Sequence, residues 1–136
     1  MKITVSTIVR APIAEVWHCY TSPDDIQRWN TASDEWHTTS ATVDLRVGGK
    51  FSSRMEAKDG SMGFDFAGEY TKLVPLQLIE YTFGDRTCVV EFSEGSDGVS
   101  VNVTFDGETI HSEEQQRSGW QAILDNFAKH VHASQA

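Results

Sequence analysis

The sequence is short of several features, and each shortage excludes a class of protein. Only two cysteines are present, Cys19 and Cys88, which are too few for a disulfide scaffold and lack the spacing of a metal site. Lysine and arginine total 11 against 20 aspartate and glutamate residues, which gives a formal net charge of −9. The phosphate backbone repels such a chain, so we expect no nucleic-acid partner.

Long apolar runs and targeting segments are also missing. No stretch approaches the roughly 18 consecutive apolar residues that a membrane span needs, so we expect no stable membrane insertion. Met1 leads directly into a strand pattern, without the charged start, apolar stretch and cleavage site of a signal peptide. Two part-buried thiols fit a reducing compartment. We therefore predict a cytoplasmic protein.

Motifs of catalysis are equally scarce. None of the five histidines has the spacing of a zinc hydrolase, and His130 and His132 lie two residues apart, which does not share a helical face. There is no Gly-x-Ser-x-Gly elbow and no glycine-rich phosphate loop. We name no catalytic residue, metal ligand or cofactor. An internal role, as hydrogen-bond acceptor or general base, is kept open for the carboxylates of Asp44 and Glu69.

What the sequence does have is a hydrophobic period that changes along the chain. Residues 2–9 alternate as a half-buried strand, and two short helices follow, the second with Ser22 as its capping residue and Pro23 in its first turn. The period is then two, which predicts about six strands separated by turns. The predicted strands cover residues 38–46, 50–58, 62–70, 76–83, 86–93 and 99–105.

The last segment carries a helical stripe. Ser112 and Gln115 have the spacing of a capping box at its start. A long amphipathic helix after antiparallel strands must bury its stripe against the inner face of the sheet. We therefore predict one α+β domain over residues 1–136, in the order strand, helix, helix, about six strands, long helix. The apolar positions of the stripe are Trp120, Ile123, Leu124, Phe127, Ala128 and Val131.

Five groups of residues, spread in order over the whole chain, carry a resemblance to a known family. They are Ala11-Pro12 with Val16-Trp17, Pro23 to Trp29, Asp44 to Phe51, Gly68-Glu69-Tyr70 with Pro75, and Gly119-Trp120 with Leu124-Asp125. As an ordered set they resemble the START-like, or SRPBCC, superfamily, and within it the family with homology to the activator of the heat-shock-protein-90 ATPase. The resemblance implies the helix-grip fold, in which a curved antiparallel sheet of about seven strands wraps around the C-terminal helix and the two small helices close one end.

The same resemblance suggests three functions. Proteins of this superfamily commonly hold an apolar ligand between the sheet and the long helix, so it implies a binding protein for a small apolar or amphipathic molecule such as a lipid or a polyketide. One alternative is an enzyme similar to a polyketide cyclase or hydrolase, with a histidine or carboxylate in the cavity. The other is a regulatory module that acts on a chaperone ATPase. A shared fold does not decide among them, and the sequence does not fix the oligomeric state.

Candidate ligand-binding residues come from the predicted inner face, which is aromatic and rich in sulfur. Such side chains suit an apolar ligand of irregular shape, although bulky residues are also needed merely to fill a wide interior. The polar segment 29–37 has tryptophans near both ends and is expected at the pocket mouth, either as a ligand wall or as a loop anchored to the core. The candidate residues are Trp29, Trp36, His37, Phe51, Met55, Phe64, Phe66, Tyr81, Trp120 and Phe127.

Overall fold

The computed structural model describes residues 1–135, which contain seven strands and three helices. The elements are β1 (Lys2–Val9), α1 (Ile13–Thr21), α2 (Pro23–Trp29), β2 (Trp36–Val43), β3 (Lys50–Ala57), β4 (Gly63–Val74), β5 (Leu78–Phe83), β6 (Arg86–Gly95), β7 (Gly98–Asp106) and α3 (Glu113–Ser134). None of the three helices combines the length and apolarity required to cross a bilayer. The predicted order of elements is confirmed.

All seven strands belong to one antiparallel sheet, in the order β1-β7-β6-β5-β4-β3-β2. Neighbours along the chain are neighbours in the sheet from β2 to β7, because short turns join them. β1 is the exception and pairs with β7 along its whole length, from Lys2 opposite Asp106 to Val9 opposite Val99. The sheet curls into a half-barrel around α3, which confirms the α+β class and the architecture that the resemblance implied.

Two strand ends differ from the prediction by three or more residues. β2 stops at Val43 because residues 44–49 form a tight turn, in which the N–H of Asp44 donates to Lys50 and the N–H of Gly49 donates to Arg46. β4 continues past Tyr70 to Val74 by way of an irregular register between Tyr70 and Lys72. Both differences depend on backbone hydrogen bonds that no side-chain period reports.

The start of α3 follows the sequence signal. Ser112 Oγ accepts from the N–H of Gln115 at 3.1 Å, and the side chain of Gln115 accepts from the N–H of Ser112 at 3.0 Å. This reciprocal pair is the predicted capping box. Ser22 differs, because its side chain makes no cap at α2 and its hydroxyl lies 3.2 Å from the ring of His18.

One glycine allows a ring to lie flat on the curved sheet. Gly68 on β4 stands opposite Phe51 on β3. A Cβ atom at Gly68 would collide with the backbone carbonyl of Thr82 and would lie 2.8 Å from the Phe51 ring. The missing side chain therefore lets Phe51 cover the strand and turn toward the interior.

Candidate functional site

A cavity of about 590 Å³ lies between the inner face of the sheet and α3. Its volume falls within the range of pockets that hold small organic ligands, roughly 300–1,000 Å³. α2 contributes Ile26 and Trp29 to the wall, and α3 contributes Trp120, Ile123 and Leu124. The exposed members of the wall, among them Ala32, Phe64 and His111, mark the side that opens to solvent.

The strand period explains why the sheet side of the cavity is so apolar. On β3, Phe51, Ser53 and Met55 alternate with outward residues and all three line the cavity. β4 and β5 continue the same face in register, with Phe66 opposite Ser53 and Tyr70 opposite Tyr81. Successive side chains of a strand point to opposite faces, so a period of two places every second residue on the wall.

Trp120 joins the helix to this wall. Its ring stacks on Phe105 with the centroids 3.8 Å apart and the planes 9° apart. It also meets Phe66 at 6.2 Å and Phe83 at 5.9 Å. Packing from several rings fixes the indole in one position, which makes Trp120 a rigid part of the cavity lining.

Three tyrosines bring hydroxyl groups into the aromatic part of the wall. Tyr20, Tyr70 and Tyr81 all line the cavity. Burial raises the pKa of Tyr70 to about 12. Burial first, and neighbouring groups second, raise the pKa values of Tyr20 and Tyr81 further above their ordinary range. All three phenols therefore keep their protons at neutral pH.

The connection between β7 and α3 supplies a polar end to the cavity. The side chain of Gln116, which is buried, accepts from the N–H of Glu108 at 2.8 Å and donates to the carbonyls of Glu108 and His111 at 3.0 and 2.9 Å. Arg86 lies over the Phe83 ring, 4.5 Å from its centroid, and donates to the carbonyl of Asp106. These contacts hold the loop in one conformation against the cavity.

The carboxylate of Glu108 organises this loop. It accepts from the N–H groups of Ile110 and His111 at 3.2 and 2.8 Å, and it lies 3.0 Å from His111 Nδ1. These contacts, led by the N–H of His111, lower the pKa of Glu108. A carboxylate that accepts two backbone N–H groups and has a lowered pKa is a poor proton acceptor.

Eight of the ten predicted site residues line the cavity, and two do not. His37 is exposed and lies next to Trp36 on β2, so the alternation of the strand places it on the outer face. Phe127 is fully buried behind the wall, where its ring packs against Tyr20 and Trp29 at 5.1 and 5.0 Å. The eight lining residues are Trp29, Trp36, Phe51, Met55, Phe64, Phe66, Tyr81 and Trp120.

The two readings of the tryptophan-flanked segment both describe part of the structure. Trp29 is buried and its indole N–H donates to the carbonyl of Cys19 at 2.9 Å, so it anchors α2 while it lines the cavity. Trp36 meets the ring of Phe64 at 5.8 Å, and Phe64 is 48% exposed. These last two rings lie at the open side.

Other functional candidates escaped the sequence reasoning or were placed wrongly. Tyr20 and Tyr70 lie on apolar faces that the periodicity reported, but that period does not distinguish a wall residue from a core residue. The polar loop end carries no periodic signal at all. Asp44 and Glu69 are both exposed, so the internal role kept open for them is wrong, and Asp44 pairs with Arg46 at 2.8 Å.

One cluster has the residue types of a metal site. The ligand atoms of Cys19, Asp25 and His130 lie within 4.8 Å of one another. Burial first and the charge of Asp25 second raise the pKa of the Cys19 thiol to about 12, so the thiol keeps its proton. His130 Nε2 lies 2.8 Å from Asp25, and the Cys19 thiol donates to Glu15 at 3.5 Å. The contact between Asp25 and His130 therefore ties α2 to α3, while the bond of the Cys19 thiol stays within α1.

A curled antiparallel sheet that closes over one long helix defines the START/SRPBCC-type, or helix-grip, class of protein. The chain belongs to a particular family of that class, the Activator of Hsp90 ATPase homolog 1-like family, whose model matches residues 10–132. The family and the fold implied by the sequence resemblance are thus confirmed.

Solved structures resemble the chain along nearly its whole length. The AHSA1-like protein from Aeromonas hydrophila is 44% identical with a TM-score of 0.93, over 98% of this chain and 94% of that one. A protein from Cytophaga hutchinsonii is 43% identical with a TM-score of 0.84, over 98% and 93%. A protein from Nitrosomonas europaea, 19% identical with a TM-score of 0.87 over 99% and 96%, shares the fold. The comparison with curated proteins gave no match.

Proposed function

We propose that this protein binds a small apolar or amphipathic molecule in the cavity between the sheet and α3. The observation that carries the proposal is the cavity of about 590 Å³, whose wall is predominantly apolar and rich in aromatic rings. Close packing is the rule in protein interiors, and an apolar pocket of this size that opens to solvent leaves apolar surface in contact with water. A ligand of matching size would displace that water and bury the wall.

The chemistry of the wall favours binding over catalysis. The ionisable side chains at the polar end, Glu108 and His111, are engaged with each other. The tyrosine hydroxyls have raised pKa values, so none of them is a base at neutral pH. A cyclase or hydrolase needs a proton acceptor within reach of the bound substrate, and neither Glu108 nor the tyrosine hydroxyls provide one.

A cytoplasmic location is part of the same proposal. Cys19 and Cys88 are both free thiols and both buried. Proteins with reduced cysteines are typical of the cytosol, where disulfides are rare. A ligand that diffuses within the cell would reach the cavity directly.

The sharpest test fills the cavity by replacing a small residue of its wall, because such a residue makes few contacts of its own. Ser53 is buried in the wall on β3, so Ser53→Trp places an indole in the ligand space. We expect the affinity for the neutral fluorescent probe N-phenyl-1-naphthylamine to fall about ten-fold or more, which corresponds to about 1.4 kcal/mol of lost binding free energy. Probe fluorescence measured in a titration gives the Kd.

The matched control is the same substitution one residue earlier. Ser52 lies on the opposite face of β3, so Ser52→Trp adds the same side chain outside the cavity. We expect it to leave the probe Kd within about two-fold, with far-ultraviolet circular dichroism showing that both variants fold. Equal losses in both variants, or no loss in Ser53→Trp, would contradict the proposed binding function.

A further inference from the structure

All three tyrosines of the chain line the cavity, although they come from three different elements. Tyr70 on β4 and Tyr81 on β5 stand directly opposite each other, and each is only 7% exposed. Residues opposite each other on one face of an antiparallel pair have Cβ atoms about 4.5–5.5 Å apart. Their side chains therefore reach the same part of the cavity, and Tyr20 enters it from α1.

Neighbouring rings hold these tyrosines in place. Phe51 meets Tyr70 at 5.2 Å and Tyr81 at 4.8 Å. Tyr20 packs against Trp29 at 5.1 Å and against Phe92 at 5.6 Å. Rings packed on two sides cannot swing far, so the positions of the three hydroxyls are set before any ligand arrives.

Two of the three hydroxyls, those of Tyr20 and Tyr70, have no protein partner within residues 1–135, and the hydroxyl of Tyr81 meets only the thiol of Cys88, a weak acceptor. No side-chain oxygen or nitrogen in this range is both fully buried and unpaired, so the two unpaired hydroxyls border the open volume of the cavity. A tyrosine hydroxyl inside a protein normally finds a partner, so hydroxyls that face one cavity without a strong partner indicate a polar group of the ligand.

Other polar groups around the cavity show the contrast. The indole N–H of Trp29 donates to the carbonyl of Cys19, and the hydroxyl of Thr38 donates to the carbonyl of Asn30 at 2.6 Å. These groups are already satisfied and serve to hold the wall together. Within the described residues the hydroxyls of Tyr20 and Tyr70 form no such bond, and neither does that of Ser53 on β3, so these hydroxyls remain available to a ligand.

The protonation of the phenols decides which ligand group they complement. Since burial raises their pKa values, they carry protons and can donate. The nearby thiol of Cys88 is also neutral, because burial raises its pKa to about 12. The rings that pack against Tyr70 and Tyr81 are uncharged, and the arginine of the wall, Arg86, is engaged with the Phe83 ring and the Asp106 carbonyl, so a carboxylate beside these tyrosines would have to be desolvated. A neutral acceptor oxygen has no such cost.

We propose that the cavity selects a ligand with an apolar body that carries a neutral hydrogen-bond acceptor, a ketone-type carbonyl oxygen, held by the hydroxyls of Tyr70 and Tyr81 with Tyr20 beside them. This inference rests on the proposed binding function and goes further, because it names the polar group of the ligand and the residues that recognise it. The apolar rings of the wall contact the body of the ligand without orienting it. Hydrogen bonds from the tyrosine hydroxyls orient its carbonyl group.

The test uses two probes of nearly equal shape, 2-acetylnaphthalene and 2-ethylnaphthalene, which differ in the carbonyl oxygen. Calorimetry on the full chain measures both Kd values for the unmodified protein and for the variants Tyr70→Phe and Tyr81→Phe. We expect each substitution to weaken the ketone about three- to ten-fold, as the loss of one hydrogen bond does, and to leave the hydrocarbon within about two-fold. The double variant should show no preference for the ketone.

A second readout follows the carbonyl itself. A ketone that accepts hydrogen bonds in the cavity has a lower infrared carbonyl stretching frequency, and in the double variant the frequency should return to its value in an apolar solvent. The control variant Thr104→Val removes a hydroxyl that is bonded to Thr4 on the outer face of the sheet, and it should change neither Kd nor frequency.

The outcomes separate this inference from the proposed function. If both probes bind and the tyrosine variants affect them equally or not at all, the hydroxyls do not recognise the ligand, and the inference is overturned while the binding function stands. If neither probe binds the unmodified protein, the binding function itself fails and the inference fails with it. A selective loss for the ketone supports both.

Discussion

Asp106, the last residue of β7, connects three neighbouring strands through one side chain. Its carboxylate lies 2.6 Å from Lys2 Nζ on β1 and accepts from the N–H of Thr87 on β6 at 2.8 Å. The lysine first and the Thr87 N–H second lower the pKa of this carboxyl. A carboxylate with a lowered folded pKa stabilises the protein above the unfolded pKa of about 3.9, and that stabilisation is lost as the pH falls through the folded pKa.

The variant Asp106→Asn tests this linkage at the residue scale. We expect the free energy of unfolding to fall by about 1 kcal/mol at pH 7, because a part-exposed ion pair and one hydrogen bond are weakened. Below about pH 3 the difference from the unmodified protein should shrink, since its own carboxyl becomes protonated. Urea unfolding, followed by tryptophan fluorescence at both pH values, measures this difference in the free energy of unfolding. Asp97→Asn, at an exposed acid in the β6–β7 turn, serves as the control. A deficit of the same size at both pH values would refute the linkage.

His37 shows at this same scale what sequence reasoning can and cannot place. The period of two that puts Trp36 on the inner face also puts its neighbour on the outer face, but the rule applies only once both are known to lie on a strand. Segment 29–37 was interpreted as a connection, whereas β2 begins at Trp36. The alternation of faces along a strand could be applied from the sequence, but the residue at which β2 begins could not be predicted.

At the scale of elements, we expect the same substitution at two glycines to change the free energy of unfolding in opposite directions. A side chain at Gly68 would meet the Thr82 carbonyl and the Phe51 ring, whereas a Cβ at Gly119 in α3 would meet nothing within 4 Å. We expect Gly68→Ala to lower the free energy of unfolding by about 2 kcal/mol or more, and Gly119→Ala to raise it by about 0.5–1 kcal/mol through helix propensity.

Thermal unfolding of both variants checks the pair, and the probe affinity separates the causes. Because Phe51 is part of the cavity wall, Gly68→Ala should also weaken binding of N-phenyl-1-naphthylamine, while Gly119→Ala should not. If Gly68→Ala left the unfolding temperature unchanged, the strand and the Phe51 ring would have to shift freely to make room for the new methyl group.

Periodicity predicted the elements well because it records burial, and burial is what holds them. The stripe of α3 and the inner faces of β3 to β5 appear in the sequence as periods of 3.6 and 2. The end of β2 does not, because it depends on a turn whose Gly48 N–H donates to the distant carbonyl of Tyr70. The polar end of the cavity escaped for the same reason, since Glu108 and Gln116 meet through a loop. The period located the wall of the candidate site, and only the structure located its polar groups.

At the scale of the whole molecule, an apolar cavity makes stability depend on its occupant. A ligand that binds the folded state alone stabilises it by mass action. At a free concentration of N-phenyl-1-naphthylamine one hundred times its Kd, we expect the free energy of unfolding to rise by about 2.7 kcal/mol. The urea midpoint with and without the probe measures this rise. Ser53→Trp, with a Kd about ten-fold weaker, should show about half of that rise or less at the same probe concentration. An unchanged midpoint for the unmodified protein would mean that the probe binds outside the fold-dependent cavity.

The pairing of β1 with β7 has a consequence for biosynthesis. Ile3 and Phe105 are partners in the sheet although about 100 residues separate them. At translation rates of about 5–20 residues per second, β1 leaves the ribosome about 5 to 20 s before its partner strand has been made. During that interval the side chains of Ile3, Val5 and Val9, all buried in the finished protein, have no sheet to join. During synthesis the first strand is therefore an apolar segment with an unpaired edge, which is the kind of exposed surface that favours aggregation.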